Sequence, residues 1–230
     1  MASKHRSRSW IVNGCTSLNL VLGMVFLSTH GHMQLAALCL MGSVIWDAAD
    51  GFLARRWQVA SEFGAQLDSL ADMTSFAVGG GAFVYGWFVP VLPSWVVVPL
   101  ACWFALCGGW RLARFNVGPK LVGEFYGLPT TAVATLLSVL YLTCPGLASW
   151  SSALMAAVLA WLMISPLPYP KYTRFTELPL WMLLSLPLIS WYRFYVTIWT
   201  LAVMYLLSGP FIWWRRRQLE LRDGSVLPTH

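Results

Sequence analysis

The chain alternates between long apolar runs and short segments that are rich in polar residues or proline. A helix that crosses a bilayer needs roughly 20 mostly apolar residues, so this pattern predicts about eight spans. Their approximate bounds are 11–27, 33–55, 64–87, 95–110, 128–142, 150–164, 178–190 and 196–214. We therefore predict an all-α fold, a polytopic membrane helix bundle with a single domain over residues 1–230. Its core covers about 11–175, and the helices at about 178–214 are additional.

Two polar segments refine this prediction. Residues 1–9 are basic, but no small-residue cleavage site follows them, so we expect a retained first helix rather than a signal peptide. The segment SPLPYPKYTRFT at 165–176 contains three prolines, which exclude a continuous helix in this part of the chain.

Composition and charge support a membrane protein. The chain is 58% hydrophobic and only 10% charged, whereas a soluble domain has about 25% charged residues. The net charge of +6 does not indicate nucleic acid as a partner, because the basic residues are scattered beside apolar runs. With eight spans, every Lys and Arg except Arg193 falls on the side of the two termini. We expect an integral protein of the cell (inner) membrane, and the positive-inside rule places this side in the cytoplasm.

Four of the nine acidic residues lie within 27 positions between two apolar segments: Asp47, Asp50, Asp68 and Asp72. Carboxylates at such a place are costly unless a cation neutralises them, which indicates a functional site. Spacings of three and four residues put each pair on one helix face, so two adjacent helices can direct all four to one centre. Oxygen ligands of this kind suit Mg²⁺ or Mn²⁺, which also bind phosphate oxygens.

The acidic residues belong to a longer string, D-x2-D-G-x2-A-R-x8-G-x3-D-x3-D. This string resembles the signature of the CDP-alcohol phosphotransferase family. All eight fixed positions are filled, at Asp47, Asp50, Gly51, Ala54, Arg55, Gly64, Asp68 and Asp72. A helix hairpin with solvated acidic ends would need neither the glycines nor this register.

The resemblance implies roles for the motif residues. Asp47, Asp50 and Asp68 are expected to be metal ligands, and Asp72 to approach the metal and accept a proton. The implied cofactors are two ions of Mg²⁺ or Mn²⁺, the implied substrate is CDP-diacylglycerol, and the cleaved product is CMP. The residues expected to contact that substrate are Asn13, Thr16, Asn19, Gly51, Ala54, Arg55, Ser61 and Gly64. Because Asn13, Thr16 and Asn19 share one helix face, hydrogen bonds to a neighbouring helix are an equally good explanation for them.

Further strings resemble one branch of the family, the CDP-diacylglycerol–serine O-phosphatidyltransferases. They are VNGCTSLNLVLG, RLARFN, FYGLPTTAVA and PYPK, although Val12 and Thr131 replace prolines of the branch pattern. The branch implies L-serine as the acceptor, and a serine carboxylate near a bilayer needs a cationic partner. We expect Arg111, Arg114 and Asn116 to supply the acceptor site.

Several alternatives remain open from the sequence. Arg111 and Arg114 can also be explained as basic residues at a helix end. The acceptor can instead be glycerol 3-phosphate or inositol, and a divalent-cation transporter would also place aspartates within the membrane. Membrane lipids are expected partners, whereas the sequence does not decide whether two copies form a homodimer.

Overall fold

The computed structural model describes residues 2–28, 31–117, 124–170 and 194–223, and most of these residues are helical. The elements are α1 (Ala2–Ser28), α2 (Met33–Trp57), α3 (Glu62–Asp72), a π-helical turn (Met73–Val78), α4 (Gly79–Phe88), α5 (Ser94–Val117), β1 (Glu124–Tyr126), α6 (Thr130–Thr143), a 3₁₀ turn (Pro145–Leu147), α7 (Trp150–Ile164), β2 (Pro168–Pro170) and α8 (Phe194–Asp223). The predicted helical fold class is thus confirmed. The prediction missed the π-helical turn and the two-stranded antiparallel sheet that β1 and β2 form.

Three helices in the described part of the chain are long and apolar enough to cross a membrane: Ser7–Ser28 of α1, α2 and α5. The apolar helices α6 and α7 are shorter. These helices indicate a membrane protein, as the composition predicted. The predicted span at 178–190 and the lysine of the PYPK string, Lys171, lie outside the described residues.

The chain divides into two compact units. One consists of Met1–Pro119 and Pro129–Ile164, and the other of Lys120–Leu128 and Ser165–His230. In the second unit, β1 pairs with β2, and α8 packs against β2. Tyr169 of β2 is fully buried, and a Cβ added at Gly209 of α8 would lie 2.5 Å from its ring. A glycine at 209 is therefore what allows α8 to cover this ring.

In the first unit, small residues bring the helices around the acidic region close together. A Cβ at Gly81 of α4 would lie 2.7 Å from the carbonyl oxygen of Ala101 on α5. A Cβ at Gly108 of α5 would lie 2.7 Å from the Cβ of Ala77 in the π-helical turn. Such contacts are typical of helices that pack within a membrane. They hold α5 against the helical segment that follows Asp72.

Helix α3 continues through the π-helical turn into α4, so residues 62–88 are helical throughout. The turn begins at Met73, directly after the last motif aspartate. Single π-helical turns within α-helices occur frequently at functional sites, because the extra residue changes the register of the helix faces. Side chains before and after this turn therefore do not follow one α-helical face.

Candidate functional site

A short loop connects the two helices that carry the aspartates. Helix α2 ends at Trp57, and Gln58 adopts a left-handed conformation, with φ 55° and ψ 41°, that terminates the helix. Ser61 then caps α3, since its hydroxyl accepts a hydrogen bond from the backbone N–H of Gly64 at 3.0 Å. A Cβ at Gly64 would also lie 3.3 Å from Oδ1 of Asn13, so this glycine lets α3 begin close to α1.

The structure brings the four motif carboxylates together. Oxygen atoms of Asp47, Asp50 and Asp68 lie within 4.8 Å of one another. The carboxyl group of Asp72 is hydrogen-bonded to that of Asp47. Asp50 is buried, and the other three are partly buried. Four ionised carboxylates this close repel one another unless a cation or a proton neutralises them, so the cluster has the charge to bind a cation.

The donor set fits a hard divalent cation. Only carboxylate oxygens contribute to the group of three ligands, without histidine or cysteine. Ligand oxygens of one Mg²⁺ lie about 3–4 Å apart, and the candidate oxygens here are separated by at most 4.8 Å. Oxygen-only sites favour Mg²⁺ or Mn²⁺ over the softer transition metals. Asp47, Asp50 and Asp68 therefore have the chemistry and the spacing to hold such an ion.

The polar residues of α1 contact this cluster directly. The Thr16 hydroxyl donates a hydrogen bond to Oδ2 of Asp50 at 2.6 Å. The side-chain amide of Asn19 donates to Oδ1 of Asp72 at 3.4 Å. Thr16 and Asn19 are 2% and 0% exposed, so both are enclosed between helices. This face of α1 was expected either to line the substrate site or to hydrogen-bond a neighbouring helix. The structure shows the hydrogen bonds, and their acceptors are two of the motif aspartates.

Arg55 lies one helical turn after Gly51 on α2. A Cβ at Gly51 would lie 3.3 Å from a terminal nitrogen of the Arg55 guanidinium, which therefore folds back over the glycine. This position brings the cation close enough to attract Asp47 and Asp50. Arg55 is exposed and Ala54 partly exposed. The spacing of glycine and arginine in the motif thus places a planar cation beside the acidic cluster.

The three residues predicted for the acceptor site have different surroundings. Arg111 is 8% exposed, donates to the Thr130 hydroxyl at 3.1 Å, and lies close enough to attract Asp47 and Asp72. The Arg114 guanidinium donates to the carbonyl oxygen of Ile164 at 2.8 Å, at the C-terminal end of α7. The amide of Asn116 donates to the Ser69 hydroxyl of α3 at 2.9 Å. Arg111 thus faces the cluster, whereas Arg114 connects α5 to α7 and Asn116 connects α5 to α3.

Arg111 and Arg114 line one cavity of about 220 Å³, together with Trp110 and Ile164. Its size suits a small polar molecule with room for water. Neither apolar residue was predicted from the sequence, although Trp110 directly precedes the RLARFN string. Thr130, the hydrogen-bond partner of Arg111, was not predicted either, although it lies within the FYGLPTTAVA string.

Comparison with known proteins identifies the family. Residues 10–165 match the CDP-alcohol phosphatidyltransferase family. A CDP-diacylglycerol–serine O-phosphatidyltransferase of Methanocaldococcus jannaschii is 35% identical over 158 residues, covering 68% of this chain and 72% of the relative. An archaetidylserine synthase of Methanothermobacter thermautotrophicus is 33% identical over 150 residues, covering 64% of this chain and 63% of the relative.

A third relative, the CDP-diacylglycerol–serine O-phosphatidyltransferase of Bacillus subtilis, is 26% identical over 161 residues, covering 68% of this chain and 87% of the relative. The matched family region contains all four aspartates and all the other residues predicted for the site. The resemblance that the motif indicated is confirmed. The chain belongs to the CDP-alcohol phosphatidyltransferase family.

Proposed function

We propose that this chain transfers a phosphatidyl group from CDP-diacylglycerol to L-serine and releases phosphatidylserine and CMP. The observation that carries the proposal is the convergence of Asp47, Asp50, Asp68 and Asp72, with Arg111 beside them. Family membership supports the transferase chemistry, and the names of two of the relatives described above support serine as the acceptor.

The metal and the nucleotide bind on the α2–α3 side of the site. Asp47, Asp50 and Asp68 would hold divalent ions, Mg²⁺ or Mn²⁺, and we propose two of them. When bound, the ions neutralise charge on the diphosphate of the lipid substrate. Arg55 adds a planar fork that can pair with phosphate oxygens. Gly51 leaves space for that fork, and the capped N-terminus of α3 near Ser61 presents backbone N–H groups to an anion.

Asp72 accepts the proton of the serine hydroxyl. As that oxygen bonds to the phosphatidyl phosphorus, the bond from phosphorus to the bridging oxygen of the diphosphate breaks, and CMP leaves with the electron pair. Asp72 suits this role because it lies outside the group of three candidate ligands and contacts Asp47 at its edge. A positioned carboxylate is one of the common general bases of enzymes.

The acceptor binds in the cavity lined by Trp110, Arg111, Arg114 and Ile164. A serine carboxylate pairs there with the guanidinium groups, since bidentate pairs of this kind are strong and directional. Arg111 is the main contact, because its position beside Asp72 brings the serine hydroxyl towards the proton acceptor. We propose Asn116 as a further polar contact that exchanges its hydrogen bond with Ser69 for one with serine.

We also propose that eight spans place the site at the cytoplasmic face of the cell membrane. The guanidinium of Arg8 lies 5.7 Å from the centre of the Trp57 ring, so the basic start of α1 is beside the end of α2. Such pairs suit the membrane interface. A reporter enzyme that is active only outside the cytoplasm, fused after Gln58, should be inactive, and an active fusion would overturn this orientation.

Purified protein supplied with CDP-diacylglycerol should convert labelled L-serine into lipid and release one CMP for each serine. Glycerol 3-phosphate and inositol should give at most background incorporation. Inositol has no anionic group to pair with the guanidinium groups, whereas the phosphate of glycerol 3-phosphate can pair with them, so glycerol 3-phosphate is the discriminating acceptor. The measurement is lipid-phase label and CMP across the three acceptors. If glycerol 3-phosphate were the better acceptor, the serine assignment would fail, while the transferase assignment would stand.

The Arg111→Ala variant should raise the KM for serine by about tenfold or more, because a charge-assisted hydrogen bond is lost. The KM for CDP-diacylglycerol should stay within about twofold. Steady-state kinetics with each substrate varied in turn give both values. Arg56→Ala is the matched control, since Arg56 is exposed and lies over the Phe52 ring. An equal rise in both KM values would instead place Arg111 on the lipid diphosphate.

A further inference from the structure

Ser75 lies in the π-helical turn, three residues after Asp72, and is fully buried. Its hydroxyl donates a hydrogen bond to the backbone carbonyl oxygen of Asn19 on α1 at 3.0 Å. The side-chain amide of the same Asn19 donates to Asp72 at 3.4 Å. One residue of α1 is therefore held at two points by one helix, through its main chain by Ser75 and through its side chain by Asp72.

Packing around this contact is tight. A Cβ added at Gly23 of α1 would lie 3.1 Å from both Cα and Cβ of Ser75, and closer still to its hydroxyl oxygen. The absence of a side chain at 23 is what lets the π-helical turn reach α1. Asn19 is fully buried, and in the described part of the chain its Oδ1 has no hydrogen-bond partner. The orientation of its amide thus depends on Asp72 and on the placement of its own backbone.

We propose that Ser75 is a positioning residue for phosphatidyl transfer: it fixes the backbone of Asn19, and Asn19 in turn orients the carboxyl group of Asp72. This inference rests on the proposed function, in which Asp72 accepts the proton of the acceptor hydroxyl. A catalytic group must be held within about 0.5 Å of its productive place. Two contacts between Asn19 and one helix restrict both the rotation and the translation of Asn19, whereas a single contact does not restrict both.

The test is Ser75→Ala in the purified full-length protein. The kcat should fall by about tenfold, which corresponds to one lost hydrogen bond. The KM values for serine and CDP-diacylglycerol should stay within about twofold, because Ser75 is fully buried and its hydroxyl is bonded to Asn19. Ser138→Ala is the matched control, since Ser138 is a fully buried serine of α6 whose hydroxyl donates at 2.8 Å to the carbonyl oxygen of Ala134 in its own helix, away from Asn19. Its kcat should remain within about twofold of wild type.

A double-mutant cycle tests whether Ser75 acts on kcat through Asn19. Asn19→Ala should lower kcat, and Ser75→Ala should cause no further loss in that background, because its effect passes through Asn19. Additive losses would overturn the proposal. So would a Ser75→Ala protein with wild-type kcat, or one in which both KM values rise as much as kcat falls, as expected of a purely structural role.

Asp72→Asn, measured beside these variants, separates failure of the inference from failure of the proposed function. If Asp72→Asn turns over at the wild-type rate, the proton-acceptor role and this inference both fail. If Asp72→Asn is inactive while Ser75→Ala matches wild type, only the inference fails.

Discussion

Replacing Asp47, Asp50 or Asp68 by asparagine is expected to reduce phosphatidyl transfer by about three orders of magnitude. Each carboxylate belongs to the group whose oxygens lie within 4.8 Å of one another. An asparagine keeps the size of the side chain but removes a negative charge, so a bound cation loses a strong ligand. The measurement is CMP release from CDP-diacylglycerol with serine, over a series of Mg²⁺ and Mn²⁺ concentrations.

Two controls define this result. Glu62→Gln removes an exposed acidic residue from the first turn of α3, outside the cluster, and should leave the rate within about twofold. Treatment of the wild-type protein with EDTA should abolish turnover, and added Mg²⁺ or Mn²⁺ should restore it. Full turnover in EDTA would contradict the metal assignment and leave the acidic cluster without its proposed role.

Asp72→Asn should lower kcat by about a thousandfold while the affinity for CDP-diacylglycerol changes little. General-base catalysis contributes about 10²–10⁴ in rate, and asparagine cannot accept the proton of the acceptor hydroxyl. The shape of the site should survive, because the new amide can still accept the hydrogen bond that Asn19 donates to Asp72 in the wild type. Single-turnover CMP release and equilibrium binding of CDP-diacylglycerol separate the two quantities.

The binding measurement decides between two roles for Asp72. If Asp72→Asn loses CDP-diacylglycerol affinity to the same extent as Asp47→Asn, Asp72 is an essential metal ligand rather than a proton acceptor. Added Mn²⁺ provides a second criterion. It should partly rescue a weakened ligand set, but it should not rescue a missing base.

The acidic site could be predicted closely from the sequence. The intervals within the pairs Asp47–Asp50 and Asp68–Asp72 correspond to one helical turn, so each pair shares a helix face. Burying four carboxylates in an apolar chain is costly, which indicates that they form one functional site. The motif then predicted that Gly51 and Arg55 accompany the aspartates, and both lie beside the cluster. The spacing of the aspartates and the motif are both local information, because they depend on residues close together in the sequence of α2 and α3.

Contacts between distant parts of the chain could not be predicted in the same way. Periodicity placed Thr16 and Asn19 on one face of α1, but it does not state which groups they meet. The structure pairs them with Asp50 and Asp72. In the same way, the sequence places Arg114 at a helix end, but only the fold shows that its guanidinium meets the end of α7.

Two local features were missed because their sequence patterns are weak. The π-helical turn at Met73–Val78 adds one residue to a helical turn, and the apolar residues around it fit either register. The strands β1 and β2 are three residues long, and β2 contains two prolines. Alternation over three residues is too short to be distinguished from a loop.

The buried ring of Tyr169 lies beyond the end of the family match, so folding depends on residues outside that match. The family match ends at residue 165, yet the ring of Tyr169 is enclosed by α8 through Gly209 and lies 5.7 Å from the ring of Tyr205. A chain shortened to the region that matches the family and to the strand that follows it would uncover this aromatic surface. Exposed apolar patches of that kind promote aggregation. We therefore expect purification to require residues well beyond the end of the family match.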